Sequence, residues 1–462
     1  MADPLWTSAE IIAATGGAGQ AAFAAQGVSI DTRTLEPGDL FVALPGARDG
    51  HDFIAEAMAK GAAGALVSRP TPGAVVQVAN TLKALEAMAE AARERAPAAK
   101  RAAVTGSVGK TTATQAIAAG LARAGKAHAS VKSYNNHIGV PLTLARMPQQ
   151  TERAVFEVGM NHADEIRPLT GLVRPHVALV TTVGPVHIEN FPDGETGVAR
   201  AKAEIFEGLE PSGIAVLNAD NVWFDVLRGA ALEAGARIRT FGTAASCDAR
   251  LVDFTVDGPR ASVRAKLDGE PVAFQLAQTG DHWGLTSLAI LLTLDAMGVS
   301  RAQGLETLSQ FEPLSGRGAQ STVQLRDGVF TLINDSYNAN PMSMASGIAT
   351  LGAHAAPGRR IAALTDMLEL GPDAPALHAA LAAQLQSASI DLVFCAGPLM
   401  KSLWDSLPPT RRGGYAETAA DLVPQLAQAM QAGDVVMVKG SKGSDAARIA
   451  LALAQLGLGG AT

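Results

Sequence analysis

The run Gly106-Ser107-Val108-Gly109-Lys110-Thr111-Thr112 sets small residues, a cation and two hydroxyls in the order that a bound triphosphate needs. Glycines let backbone N–H groups come close to phosphate oxygens, and a helix starting at the lysine adds the positive end of its dipole. The Lys110 ammonium would neutralise the β- and γ-phosphates, and the Thr111 hydroxyl would ligate Mg2+. Val104 stands where the longer G-x-x-x-x-G-K-[ST] loop has its first glycine, so this is a shorter G-x-x-G-K-T form. A glycine turn beside a surface lysine would explain so short a match in isolation. An apolar strand before it and an alanine-rich helix after it supply the strand–loop–helix setting of a nucleotide loop.

Magnesium needs further oxygen ligands. Glu157, in Glu157-Val158-Gly159-Met160-Asn161, ends an apolar strand, which is where α/β folds place ligand contacts. His187 closes Gly184-Pro185-Val186-His187 after the run HVALVTTV, and Lys202 lies in the helical text Ala199-Arg200-Ala201-Lys202-Ala203-Glu204. Taken singly, these read as a solvated carboxylate, an ordinary loop histidine and a lysine on an amphipathic face. Other polar groups have similarly plain readings. Ser29, Asp31 and Arg33 suit a polar strand end, and Asn135-Asn136 before a glycine suits a turn. Asp335, Asn338 and Asn340 fit a polar turn after a strand, Arg317 in Ser315-Gly316-Arg317-Gly318 a linker, and Lys439 a surface turn.

The elements that must hold these groups alternate between short apolar runs and alanine-rich helical stretches, an α/β pattern. With 462 residues the chain is long enough for about three domains. Breaks around Pro97 and in the glycine-rich stretch Pro313 to Gly318 divide it into residues 1–98, 99–313 and 314–462. The central block opens on RAAVTG, and the last has the Rossmann-like strand series FTLIND, RRIAALTD, IDLVFCAG and DVVMVKG. The expected fold is therefore α/β with three domains, a central P-loop-type nucleotide-binding domain and a Rossmann-like carboxy-terminal domain.

Composition excludes several classes. With 48% hydrophobic and 18% charged residues the chain is not disordered. A net charge of −7 and only 4% aromatics argue against a nucleic-acid partner. The apolar stretch Leu285 to Met297 is interrupted by Asp295 and falls short of the ~20 residues of a membrane span. Two cysteines, Cys247 and Cys395, form no disulfide framework and suit a reducing compartment. With no basic, apolar start visible, the expectation is a soluble cytoplasmic protein.

The loop G-x-x-G-K-T-T, Glu157 in E-V-G-M, and His187 followed fifteen positions later by Lys202 together resemble the Mur ligase family, ATP-dependent enzymes that extend the peptide of the cell-wall precursor. The resemblance covers essentially the whole chain. It implies a lysine carbamylated by carbon dioxide at Lys202, so that a cation becomes an anionic oxygen ligand beside Mg2+. It implies one magnesium ion at Thr111 and Glu157 and a second at His187 and carbamylated Lys202. The runs from Gly27 to Arg33, Asn135 to Pro141, and Asn334-Asp335-Ser336-Tyr337-Asn338-Ala339-Asn340-Pro341 resemble those members that add D-alanyl-D-alanine to UDP-N-acetylmuramoyl-tripeptide. The D-N-P-R signature of the members that add the third amino acid is absent. On this resemblance Ser29, Asp31 and Arg33 take the uridine-diphosphate end, and Asn135 and Asn136 face the substrate. Asp335, Asn338 and Asn340 lie by ATP and the incoming amine, and Arg317 reaches a phosphate.

The family's G-x-H-N-x-x-N helix start beside the adenine is here Gly280-Asp281-His282-Trp283-Gly284-Leu285-Thr286. His282 is kept, Trp283 and Thr286 replace asparagines, and Trp283 becomes a candidate to pack near the base. The expected chemistry is γ-phosphoryl transfer to a carboxylate, then attack by the dipeptide amine on the acyl phosphate, in a chain acting as a monomer. Other ligases of the superfamily, a nucleotide-dependent regulatory module and a nucleic-acid-dependent ATPase are the competing readings.

Overall fold

The computed structural model describes residues 3–456 apart from 132 and 259, so residues 1–2 and 457–462 of the expected outer domains lie outside the described residues. It is an α/β chain built on three main sheets. The first sheet pairs Gly27–Ser29, Asp39–Val42, Gly64–Val67 and Val75–Gln77 in that order, all parallel. The strand Gly64–Val67 is buried throughout, as parallel strands covered on both faces require. Helix Thr81–Glu94 starts where Asn80 accepts the backbone N–H of Lys83 at 3.0 Å. It buries Ala84, Leu85, Met88, Ala89 and Ala92, a single apolar stripe at helical spacing.

This unit is seated on helix Gly139–Ala145 of the central unit. The Trp6 indole N–H donates to Ala145 O at 2.7 Å, and Arg146 Nε donates to Val28 O at 2.6 Å. The Arg95 guanidinium lies 4.0 Å over the Trp6 ring and donates to Met147 O. The strand Gly27–Ser29 is thus fixed relative to the segment that follows Asn135.

The central sheet has nine strands. Its parallel part places Lys100–Thr105 between Arg153–Glu157 and Val177–Val180, with Ile214–Asn218 and Arg237–Gly242 beyond. The edge is an antiparallel extension of Ala249–Asp257, Arg260–Leu267 and Glu270–Leu276. Helix His282–Ala296 packs against this edge and is apolar on nearly every side because it is buried between sheet and helices. Here the structure corrects an expectation: Trp283 is 6% exposed and packs with Phe311 in the core, so its indole is not free to lie against an adenine.

Arg101 ties the base of this sheet together. Its guanidinium is buried and donates to the carbonyls of Ala99, Val173 and Arg174 and to the Glu210 carboxylate. Arg101→Ala leaves that carboxylate and three carbonyls short of a donor. It is expected to lower unfolding free energy by about 3 kcal/mol, read as an earlier urea midpoint for the transition containing this sheet.

The carboxy-terminal sheet runs Ala319–Leu325, Gly328–Asp335, Val435–Lys439, Arg360–Thr365, Leu392–Ala396, Arg412–Ala416, all parallel except the first pair. No described helix is long and apolar enough to cross a membrane, and both cysteines are free thiols.

Candidate active site

The phosphate loop follows Lys100–Thr105 and leads into helix Lys110–Ala124. Gly106 has φ 149°, and a Cβ there would sit 1.9 Å from Thr181 Oγ1; Gly109 has φ 82°. Both positions need glycine, the first for space and the second for its left-handed backbone. Ser107 does not face the cradle. Its hydroxyl donates to Gly184 O at 3.0 Å and accepts from Gly184 N at 2.9 Å, clamping the phosphate loop to the loop that carries His187. Thr181 adds a second clamp by donating to Val108 O at 2.6 Å. Lys110 Nζ folds back onto Gly106 O at 2.7 Å. Desolvation lowers its pKa, with Glu157 opposing the shift and Arg317 adding to it.

Glu157 ends the strand next to the phosphate strand and is 1% exposed. Oε1 accepts from Asn135 Nδ2 at 2.6 Å, while Oε2 is buried with no partner among the described residues. A buried carboxylate oxygen without a donor is costly. It fits a divalent cation, since Thr111 and Ser133 supply further oxygens nearby. Thr111 Oγ1 and Ser133 Oγ lie 3.0 Å apart, and Arg317 bonds both, at 3.0 Å and 3.3 Å. The Tyr337 hydroxyl donates to Ser133 at 2.8 Å, and Arg317 stacks on its ring at 4.1 Å. Two residues of the carboxy-terminal unit therefore close on the phosphate loop.

Lys202 is 2% exposed, and its ammonium nitrogen has no hydrogen bond or ion pair among the described residues. Burial, helped by the charge of Lys110, pushes its pKa well below the usual lysine value. His187 has a left-handed backbone with φ 54°. Burial lowers its pKa, Glu369 opposes that shift, and Lys110 and Lys202 add to it. Lys110, at the start of the helix after the phosphate loop, thus lies within charge range of Glu157, His187 and Lys202.

Asp335 and Lys439 are register partners at the ends of adjacent parallel strands. Lys439 is 2% exposed and donates to Asp335 Oδ2 at 2.7 Å and to Asn338 O at 3.1 Å. It is no surface turn but the buried partner of the acid. The Asn340 side chain is spent on capping helix Pro341–Ala353, and Asn136 Oδ1 accepts from the N–H groups of Ile138 and Gly139 at the start of helix Gly139–Ala145. In both cases the side chain does the structural job that a polar turn predicts. His282 Nδ1 lies 2.8 Å from the Ser346 hydroxyl, between the central and carboxy-terminal units.

On the first sheet, Ser29 is buried and donates to Asp31 O at 3.1 Å. Arg33 grips the Asp31 carboxylate through Nε at 2.9 Å and holds its pKa down at about 2.

Comparison with known proteins matches this arrangement to three family descriptions: Mur ligase family, catalytic domain, over residues 24–123; Mur ligase middle domain over 104–293; and Mur ligase, glutamate ligase domain, over 321–442. The UDP-N-acetylmuramoyl-tripeptide–D-alanyl-D-alanine ligase of Escherichia coli is 33% identical, covering 93% of this chain and 94% of its own. The protein of that name from Bacillus subtilis is 32% identical, covering 90% of each. The chain belongs to the Mur ligase family. Among solved structures, MurF from Acinetobacter baumannii superposes with a TM-score of 0.85 at 27% identity, covering 97% of this chain and 99% of that one. The ADP complex of MurF from Thermotoga maritima shares the fold, with a TM-score of 0.78 at 23% identity, 93% of this chain and 97% of that one being covered.

In this Mur ligase Ser133, Tyr337, Thr181 and Glu369 were not foreseen from sequence. Each acts through a contact more than 70 positions away in the chain, for which local spacing gives no signal.

Proposed function

We propose that this Mur ligase forms an amide bond between the terminal carboxylate of UDP-N-acetylmuramoyl-tripeptide and the amine of D-alanyl-D-alanine, with ATP cleaved to ADP and phosphate. The observation that supports it most is that the phosphate-loop Lys110 lies within charge range of Glu157, with its unpartnered oxygen, and of the buried Lys202. A carboxylate resists attack by an amine because its carbon is electron-rich and oxide is a poor leaving group. Transfer of the γ-phosphoryl group to a carboxylate oxygen gives an acyl phosphate. The amine lone pair then attacks the acyl carbon, the C–O bond to phosphate breaks, and the nitrogen loses a proton.

The chain's own part is to hold two anions together. Gly106, Ser107, Val108, Gly109 and Thr112 form the loop around the triphosphate, Lys110 neutralises it, and Arg317 adds charge at its end. Thr111 and Glu157 would hold one magnesium ion, and His187 with Lys202 a second; these ions would supply positive charge against the phosphate and carboxylate oxygens. Burial that lowers the Lys202 pKa favours the amine form, which can attack carbon dioxide and lose a proton to become a carbamate, one negative charge shared by two oxygens. Asp335, Asn338 and Asn340 sit at the amine and nucleotide side with His282. Ser29, Asp31 and Arg33 serve the UDP end, and Asn135 and Asn136 the peptide. The working division is 1–98 for the precursor, 99–313 for ATP and 314–462 for ligation. The soluble, nucleotide-linked substrates suit a cytoplasmic monomer.

Incubation with UDP-linked tripeptide, D-alanyl-D-alanine, ATP and Mg2+ is expected to give a product heavier by the dipeptide less water, with one ADP per product. A product carrying a single amino acid, or ADP release without amide, would reverse the assignment.

A further inference from the structure

The loop that follows His187 and the loop after strand Arg360–Thr365 clasp each other across the central and carboxy-terminal units. Two contacts run in opposite senses: Glu369 Oε2 lies 2.6 Å from His187 Nδ1, and Glu189 Oε2 accepts from the Gly371 N–H at 3.2 Å. Both members of the first pair sit in left-handed backbone, His187 at φ 54° and Glu369 at φ 61°. Non-glycine residues hold that conformation only where their surroundings enforce it, and such strain gathers at functional sites. His187 Nδ1 is buried and has no straight hydrogen bond, so the Glu369 carboxylate is its one close acidic neighbour among the described residues.

We infer that Glu369 is a positioning residue for His187: docking of the carboxy-terminal unit brings the carboxylate to Nδ1, fixes the ring and leaves Nε2 to face the second cation. A ligating histidine needs its other ring nitrogen held, because that choice sets both tautomer and ring direction. Here the holder comes from a different unit than the ligand. The cation site is therefore complete only when the unit bearing Asp335 and Lys439 is in place, which ties capture of the ion to arrival of the amine-binding surface. This inference rests on the reading of His187 as a metal ligand.

Mn2+ titration of the full chain saturated with a non-hydrolysable ATP analogue, followed by the paramagnetic resonance of the free ion, tests both. His187→Ala is expected to lose one bound ion. Glu369→Ala is expected to raise the half-saturating Mn2+ concentration for that ion roughly 10-fold or more, with an unchanged melting temperature. Glu369→Gln, whose amide oxygen can still accept from Nδ1–H, is expected to restore most of the affinity. Wild-type binding in Glu369→Ala beside a lost ion in His187→Ala overturns the inference and leaves the metal reading standing. Glutamine as damaging as alanine would make the carboxylate itself a ligand and also overturn it. Full occupancy in His187→Ala would instead remove the metal reading.

Discussion

Lys202→Ala is expected to lower the rate of amide formation by roughly 10³-fold or more, and acetate or propionate at high concentration is expected to return part of it. The argument starts from burial. A lysine that is 2% exposed as a residue and has no ion pair among the described residues is disfavoured as a cation, and burial with the charge of Lys110 lowers its pKa well below the usual lysine value. That direction favours the uncharged amine, the form whose lone pair can attack carbon dioxide. An ammonium in a pocket built for positive ions repels them, and an amine brings one weak nitrogen donor for Mg2+, whereas a carbamate would bring an anionic group with two oxygens. The alanine variant leaves a space that a short free carboxylate can enter, which puts an anionic oxygen back where the carbamate would be. Wild-type protein in buffer stripped of carbon dioxide should lose activity and regain it with bicarbonate. Lys202→Arg should stay inactive under both treatments, since guanidinium remains charged and does not carbamylate. Undiminished turnover by Lys202→Ala in stripped buffer, without added acids, would end the carbamate reading. An inactive variant that no acid restores would point to the ammonium form as the working one.

How much of this was legible before folding depends on the range of the interaction. The phosphate loop was, because strand, glycines, lysine and helix are contiguous and each has a local physical role. The parallel strands were readable as apolar runs, since burial on both faces removes polar alternation. The antiparallel extension Ala249–Leu276 is signalled too: Arg260–Leu267 alternates exposed and buried residues, and Asp268-Gly269, both at positive φ, is a hairpin dipeptide leading into Glu270–Leu276. Glu157, His187 and Lys202 could each be bland in isolation. What makes them a site is the order of strands, which sets Glu157 and the His187 loop on either side of the phosphate strand. Family resemblance supplied that order in advance, and spacing alone did not.

Trp283 shows the opposite error. An aromatic at a family asparagine position invites a stacking role, but the hydrophobic core claimed the ring. Lys439 was underrated for a related reason: a lysine after an apolar strand resembles a surface turn until the register sets it against Asp335. The Asn136 and Asn340 side chains also bond backbone N–H groups at a helix start, the local contact that a polar turn predicts.

Lys110→Ala is expected to lower kcat by roughly 10³-fold while weakening ADP binding only about 10-fold. The inequality follows from where charge moves. Backbone N–H groups and the helix N-terminus engage the phosphates in ground and transition state alike, so much of the nucleotide affinity survives without the lysine. The γ-phosphoryl group is different: as it departs, negative charge must be held against the incoming carboxylate, and the loop gives no other side-chain cation. Burial lowers the Lys110 pKa, Glu157 opposes that shift and Arg317 adds to it, so an anionic phosphate arriving at the loop would favour the charged form. Lys110 Nζ lies 2.7 Å from the Gly106 carbonyl oxygen, a contact that a γ-phosphate oxygen can replace. Lys110→Arg is not expected to recover the rate, since a planar fork is bulkier than an ammonium in a cradle whose first glycine already lacks room for a methyl group. Single-turnover measurement of acyl phosphate formation, trapped as a hydroxamate, separates the chemical step from product release. If ADP affinity and the single-turnover rate fall by the same factor, Lys110 binds nucleotide uniformly, and the transition-state charge must be met by Arg317 and the cations instead.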